Sequence, residues 1–314
     1  MSPSQKRAAV IELREKFETS ERRACAVLEV PRSTQRYEPQ PRSDEAALCT
    51  RLRSMVLQRP RFGYRRLTVM LQREGWHVNS KRVHRLCRSE GLKVRQIARH
   101  KRAIGSSVNA CSKRKSEHMN DVWTWDFVFD RTTSGTTLKW LSLVDEYTRE
   151  CLALKVDRGL TSEDVINTLA ELFQTRGVPQ CIRSDNGPEF ISKAIRSWLA
   201  RLGIQILYIA PGSPWENGFV ESFHSKLRDE FLARELFENL RAAQGLTSRW
   251  RDDYNHHRPH SSLNYQTPTE FAARCGASAP KRAEAAPLPA SPLQPPNGRL
   301  GSAQTPPPLP PELS

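Results

Sequence analysis

Apolar residues recur along this chain with two different periods, and the change between them divides it. In residues 4–17, Ala8, Val10, Ile11, Leu13 and Phe17 are spaced among charges as on a helix. Ser20 is placed to cap a second helix, ERRACAVLEV, and Pro31 with Ser33 opens a short third, PRSTQRY. EPQPRSDE (38–45) reads as a linker. GYRRLTVMLQREG then predicts a helix ending at Gly75. After the turn WHVN, KRVHRLCRSEG predicts another, with Ser80 as N-cap and Gly91 as stop. On that helix Val83, Leu86 and Cys87 can face inward. From Trp123 the period drops to 2: WTWDFVFD sets Trp123, Trp125, Phe127 and Phe129 on one face and Thr124, Asp126 and Val128 on the other. LKWLSLVDEY and ECLALKV read as the next two strands, antiparallel. SEDVINTLAELFQTRG is an amphipathic helix capped at Thr161 or Ser162 and stopped at Gly177. QCIRSD and IQILYIA are strands; PEFISKAIRSWLARLG and SPWENGFVESFHSKLRDEF are helices. A meander followed by helix–strand–helix–strand–helix predicts an α/β fold. It has a mixed sheet of about five strands flanked by helices, behind all-α helix-turn-helix units.

Composition adds a division of labour. Of the 314 residues, 1–120 carry 28 Lys+Arg against 11 Asp+Glu, whereas 121–314 carry 21 against 23. A basic excess confined to the helical part reads as phosphate neutralisation on nucleic acid. The candidate contacts are Arg65 and Arg66 on one predicted helix, and Lys81, Arg82, Arg85 and Arg88 on the next. Arg outnumbers Lys 37 to 12, which suits bidentate phosphate and guanine contacts. The expected order is a helix-turn-helix-like segment (1–40), a second helix-turn-helix unit (46–95), a basic connector (96–118), an α/β core with C-terminal extension (119–275), and a disordered tail (276–314). That tail holds 11 of the 22 prolines and cannot bury a core. Mean hydropathy is −0.62, and no apolar run approaches a membrane span. The N-terminal segment has no apolar h-region, and seven cysteines without a CxxC pair form no disulfide framework. The thinly spread cysteines fit a reducing cytosol, so the expected location is cytoplasmic.

Three carboxylates sit where carboxylates are uncommon. Asp126 lies mid-strand among aromatics, where a buried charge must be paired or metal-bound unless it reaches water at an edge. Asp185 ends a strand and precedes Asn186–Gly187, a place where ligand sites gather and also where a turn-forming Asp belongs. Glu221 lies on the helix after the last strand, where, read alone, it is more readily an ordinary exposed helical Glu. There Ser213 as N-cap, Pro214 at N1 and Glu216 at N3 make a capping box, which assigns Glu216 a structural role. Phe219, Phe223, Leu227 and Phe231 form the expected core stripe, and Glu221 falls about 200° from Phe219 and Phe223. Three carboxylates from two strands and a helix can converge on hard divalent cations, and two such metals serve phosphodiester chemistry. Asp145 and Glu146 are expected to be hairpin-turn residues, with a supporting role beside the core as the alternative. His77, His84 and Cys87 match no zinc spacing. His256, His257 and His260 are interrupted by Pro259 and are read as a structural or DNA-facing extension.

RFGYRRL with EGWHVNSKRVHRL, then WTWDFVFD, LVDEYTRE, SDNGPEF, PGSPWENGFVESFHSKLRDE and YNHHRPHSSLNYQTP occur in this order over residues 20–272. In sequence and spacing they resemble the DDE transposases of bacterial insertion sequences. These belong to the retroviral-integrase-like superfamily, and the second-frame protein of the insertion sequence three family is the nearest in pattern. Thirty-five residues separate Asp185 from Glu221, the separation that family shows. The resemblance implies an RNase H-like core with Asp126, Asp185 and Glu221 as catalytic and metal-binding triad, and Mg²⁺ or Mn²⁺, two ions, as cofactor. It implies cleavage at terminal inverted repeats and strand transfer into target DNA by a homo-oligomer on double-stranded DNA. An upstream-frame partner or fusion is also implied, as is a bacterial, nucleoid-associated location in the cytoplasm. The alternatives are an RNase H-like nuclease that does not join, and a non-catalytic DNA-binding partner. The proline-rich tail is not part of the family pattern.

Overall fold

The computed structural model describes residues 1–38, 42–92, 94, 114–184, 193–208 and 218–278. They fall into two compact units, Met1–Gln58 and Arg59–Ser314.

In the first unit, α1 (Pro3–Phe17) starts at Ser2, whose hydroxyl accepts from the Gln5 amide while the Gln5 side chain accepts from the Ser2 amide. This reciprocal cap satisfies two donors that would otherwise be orphaned. Ser20 caps α2 (Glu21–Val27) as its sequence predicts, and α3 (Arg32–Gln35) follows Pro31. Val10, Ala24, Cys25 and Val30 make a small core, with Leu13 and Leu28 against it. A 14-residue helix, α4 (Glu45–Gln58), buries Leu48, Leu52 and Met55. Sequence reasoning missed it, although that i, i+4, i+7 row is a helical signature.

The second unit opens with α5 (Tyr64–Arg73) and α6 (Ser80–Ser89), joined through Gly75 at φ 88°. The cap of α6 is Asn79 rather than Ser80: the Asn79 backbone is extended and its Oδ1 accepts from the Lys81 amide at 2.8 Å. Ser80 is already helical, so the asparagine supplies the capping oxygen. Val83, Leu86 and Cys87 are buried as expected.

The sheet contains β1 (Val122–Arg131), β2 (Thr137–Asp145), β3 (Cys151–Asp157), β4 (Cys181–Ser184) and β5 (Gln205–Tyr208), in the order β3-β2-β1-β4-β5. The meander β1–β2–β3 is antiparallel, and β4 and β5 add parallel to β1. One face is covered by α7 (Ser162–Arg176) and α8 (Lys193–Arg201), packing Phe173 and Trp198 on Trp123, Trp125, Leu141 and Leu143. The other is covered by α9 (Gly218–Leu227), a π-helical turn (Arg228–Leu232) and α10 (Leu240–His256), against Val128, Leu138, Trp140 and Val144. Helices on both faces explain why β2 is buried at nearly every position. Thr161 caps α7 with Asp164 closing the box. The chain then continues through α11 (Pro268–Ser278). Of the expected connector (96–118), residues 96–113 lie outside the described residues, as does the expected tail from 279; its first three residues, 276–278, end α11.

Candidate functional site

Asp126 sits midway along β1, the central strand, with its side chain one-quarter exposed. Oδ1 accepts from the Phe127 amide at 2.7 Å, and Oδ2 lies 3.5 Å from Nδ1 of His224 on α9. Ser142 stands directly opposite Asp126 on β2. Its Oγ donates to the Asp126 carbonyl at 3.1 Å and lies 2.8 Å from His224 Nε2. Burial first, then Arg228, pushes the His224 imidazole down to about 4, so it is neutral at physiological pH. Ser142 and His224 thus tie α9 to the strand at Asp126. Neither was singled out from sequence. His224 lies three residues after Glu221, one helical turn, which is a legible spacing. Ser142 becomes recognisable only once the register of β1 and β2 is known.

Glu221 lies in the first turn of α9 and is exposed. It is off the core stripe, as its helical angle predicts. The stripe itself is shifted: Val220, Phe223, His224 and Leu227 are buried, whereas Phe219 is half-buried beneath the Arg149 guanidinium, 4.0 Å from the ring centroid. An arginine over a ring face is a favourable packing solution that a purely apolar stripe does not anticipate. Asp185, Ser213, Pro214 and Glu216 lie outside the described residues. The β1–β4 register ends with Thr124 opposite Arg183; Asp126 and Asp185 are each two residues further along the sequence. Among the described residues no group of three His, Cys, Asp or Glu gathers as a metal site.

Asp145 is a hairpin-turn residue. It is fully buried, with Oδ1 accepting from the Tyr147 and Thr148 amides and Oδ2 from the Asn120 amide. Burial raises its pKa, opposed by those amides. Glu146 instead forms a buried ion pair with Arg183 Nε at 2.7 Å, bracing the end of β4. Of the histidine cluster, His256 and His257 are exposed and His260 is buried. The adjacent Arg258 is buried and grips Glu230 with two hydrogen bonds of 2.6 Å. That segment is structural, and Arg258 is its anchor.

Among the candidate DNA contacts, Arg65, Lys81, Arg85 and Arg88 are exposed and Arg82 is half-buried. Arg66 is half-buried, 3.5 Å from Glu230. A groove of about 840 Å³ between α5 and α6 is lined by Arg65, Gln72, Trp76, His77, Asn79 and Ser80, among others. The ion pairs Arg59–Asp253, Arg66–Glu230 and Arg73–Glu270 join the α5 region to the helices after the sheet.

Two family models, each described as an integrase core domain, match residues 116–214 and 202–268, and an HTH-like domain matches 43–102. A protein of insertion element IS407 from Burkholderia multivorans is 40% identical over 267 residues, covering 85% of this chain and 95% of that protein. The transposase InsD of insertion element IS2 from Escherichia coli is 26% identical over 243 residues, covering 73% of this chain and 79% of its own length. Among solved structures, the magnesium-bound catalytic core of HTLV-2 integrase aligns over 50% of this chain and 99% of its own, with 17% identity and a TM-score of 0.41.

Proposed function

This chain belongs to the insertion-sequence transposases of the integrase superfamily, and from that premise we propose that Asp126, Asp185 and Glu221 form its catalytic centre. The enzyme cleaves and transfers DNA during transposition. The observation that carries the site assignment is the docking of α9 on the central strand. His224 meets Asp126, and Glu221 precedes His224 by one turn of the same helix.

The donor set, three carboxylates of which Asp126 and Glu221 are open to solvent, fits a hard divalent cation, Mg²⁺ or Mn²⁺, and two ions would be held by the three side chains. When bound, such ions supply Lewis acidity and neutralise charge on the reacting phosphate. The chain's own part is positional. Ser142 and His224 hold the Asp126 backbone and ring contact in place, so the carboxylate presents one fixed face. The Glu146–Arg183 pair holds the strand end from which the chain runs on to Asp185. Exposed Arg65, Lys81, Arg85 and Arg88 contact phosphates of the terminal inverted repeats. Water breaks a phosphodiester at the element's end, leaving a 3′-hydroxyl. That hydroxyl then forms a new phosphodiester with the target strand and displaces its 3′-oxygen. Bonds made and broken balance in each step without a covalent protein intermediate, so no Ser or Tyr nucleophile is required. Joining two ends at one target calls for a homo-oligomer on the DNA.

The test is cleavage and strand transfer on an end-bearing duplex after chelation and readdition of Mg²⁺. Asp126→Asn and Glu221→Gln should each lower both activities at least ~100-fold, the scale of losing one electrostatic stabiliser of a transition state, while leaving DNA binding intact. Full activity of Asp126→Asn overturns the assignment. Cleavage without joining of pre-cut ends identifies a nuclease instead.

A further inference from the structure

Against α9, on the side of the helix that carries Phe219, Ser222, Phe223 and Lys226, lies a cavity of about 290 Å³. Among the described residues its lining holds four cationic side chains, Arg66, Arg149, Lys226 and Arg258, and no carboxylate. The neighbouring anions are committed elsewhere. Glu230 accepts both arms of the Arg258 fork at 2.6 Å and draws Arg66 to 3.5 Å. Glu146 pairs with Arg183, Asp145 accepts three backbone amides, and Asp253 holds Arg59.

Two cations remain. Lys226 Nζ donates to the Ser222 carbonyl at 2.7 Å and contacts its hydroxyl at 2.6 Å. Arg149 lies over the Phe219 ring. Among the described residues neither has a carboxylate within ion-pair distance, although Glu146 and Asp145 act on Arg149 and Glu230 on Lys226 from further away. Arg149 also has φ 64°, a left-handed conformation disfavoured for any residue with a Cβ. Burial, then Arg258, pushes the Lys226 ammonium down to about 8, and burial lowers Arg149 as well. In both cases burial, which penalises the charged form, is the first cause. A half-buried cluster with this excess is relieved by an anion, and its apolar walls strengthen the attraction. The space is roughly ten times a water's share of liquid volume, ample for a phosphate group. His260, held neutral by burial and Arg258, adds no charge of its own.

We propose that this cavity is a phosphate-binding site for bound DNA, in which Arg149 and Lys226 grip one backbone phosphodiester. The proposal rests on the transposase reading. Ser222 is exposed and lines the cavity, so the pocket opens at the surface of α9. The guanidinium supplies a bidentate donor and the ammonium a point charge.

The test uses the full chain without divalent metal, so that binding is read apart from chemistry. Arg149→Asn suits the left-handed backbone while removing the cation, and Lys226→Met keeps the apolar stem. Inorganic phosphate at constant ionic strength should raise the Tm of the wild type and not of the double variant. The slope of log K against log salt for duplex DNA should become shallower by about one unit in the double variant. Lys226→Arg in place of Lys226→Met should restore part of it. Equal phosphate response and equal slope in all proteins overturn the site. A lost phosphate response with an unchanged DNA slope overturns DNA as the occupant in favour of a free anion. Metal-dependent cleavage by the wild type is measured alongside: if it is present while the slopes agree, the pocket proposal fails and the transposase reading stands.

Discussion

Removing the Glu230 carboxylate should destabilise the second unit more than a typical substitution does. Arg258 has 2% of its side chain exposed and Glu230 13%, and their two hydrogen bonds are both 2.6 Å. In Glu230→Ala the guanidinium stays buried without its anion, a situation that costs about 3–5 kcal/mol. Arg66 aggravates it, because Arg66 shares Glu230 and its own pKa is lowered by burial and by Arg258. At roughly 2–4 °C per kcal/mol for a domain of this size, Tm should fall by on the order of 6–20 °C. A buried ion pair replaced as a whole by apolar groups is often neutral, so Glu230→Leu with Arg258→Met should recover most of the loss. Urea denaturation of the wild type, both single variants and the double variant gives the coupling energy directly. A loss below about 1 kcal/mol for Glu230→Ala, the range of solvent-exposed pairs, would refute the claim that this pair is buried and structural.

Three further outcomes are expected. Glu216→Gln should keep near-normal activity, since glutamine can close the same capping box, whereas Glu221→Gln should not; assays of both variants in parallel decide, and the reverse result would reassign the third carboxylate. Deleting residues 1–118 should lower Tm as well as DNA affinity, because it removes Arg59, Arg66 and Arg73 from their partners Asp253, Glu230 and Glu270; calorimetry showing an unchanged melt would mean these pairs do not form in solution. His260, pushed down to about 2 by burial and then Arg258, binds its proton more weakly folded than unfolded. Its stabilising contribution is therefore complete above the unfolded pKa near 6.5 and shrinks as pH falls. Between pH 6.5 and 5 the loss should be about 2 kcal/mol, and His260→Gln should flatten the stability profile there; equal slopes would count against it.

Local physics was legible in the amino-acid sequence. The alternation in WTWDFVFD, the caps at Ser20 and Thr161, the stop at Gly75 and the off-stripe position of Glu221 follow from pleat and helix geometry, which act over a few residues. The order of strands and helices predicted the mixed sheet, and the family-like motifs singled out Asp126, Asp185 and Glu221. Tertiary structure decided the partners. That Ser142 and His224 meet at Asp126, that Arg66 answers to Glu230 and lies half-buried, that Phe219 carries Arg149 and not the core, and that Arg258 is an anchor depend on contacts between residues far apart in the chain. Arg66 and Glu230 are 164 positions apart. A hydrophobic period fixes which face of an element turns inward, because transfer from water is non-directional and needs only a buried side. A charge needs one partner at hydrogen-bond distance and angle, and that distance is set only when the elements have packed.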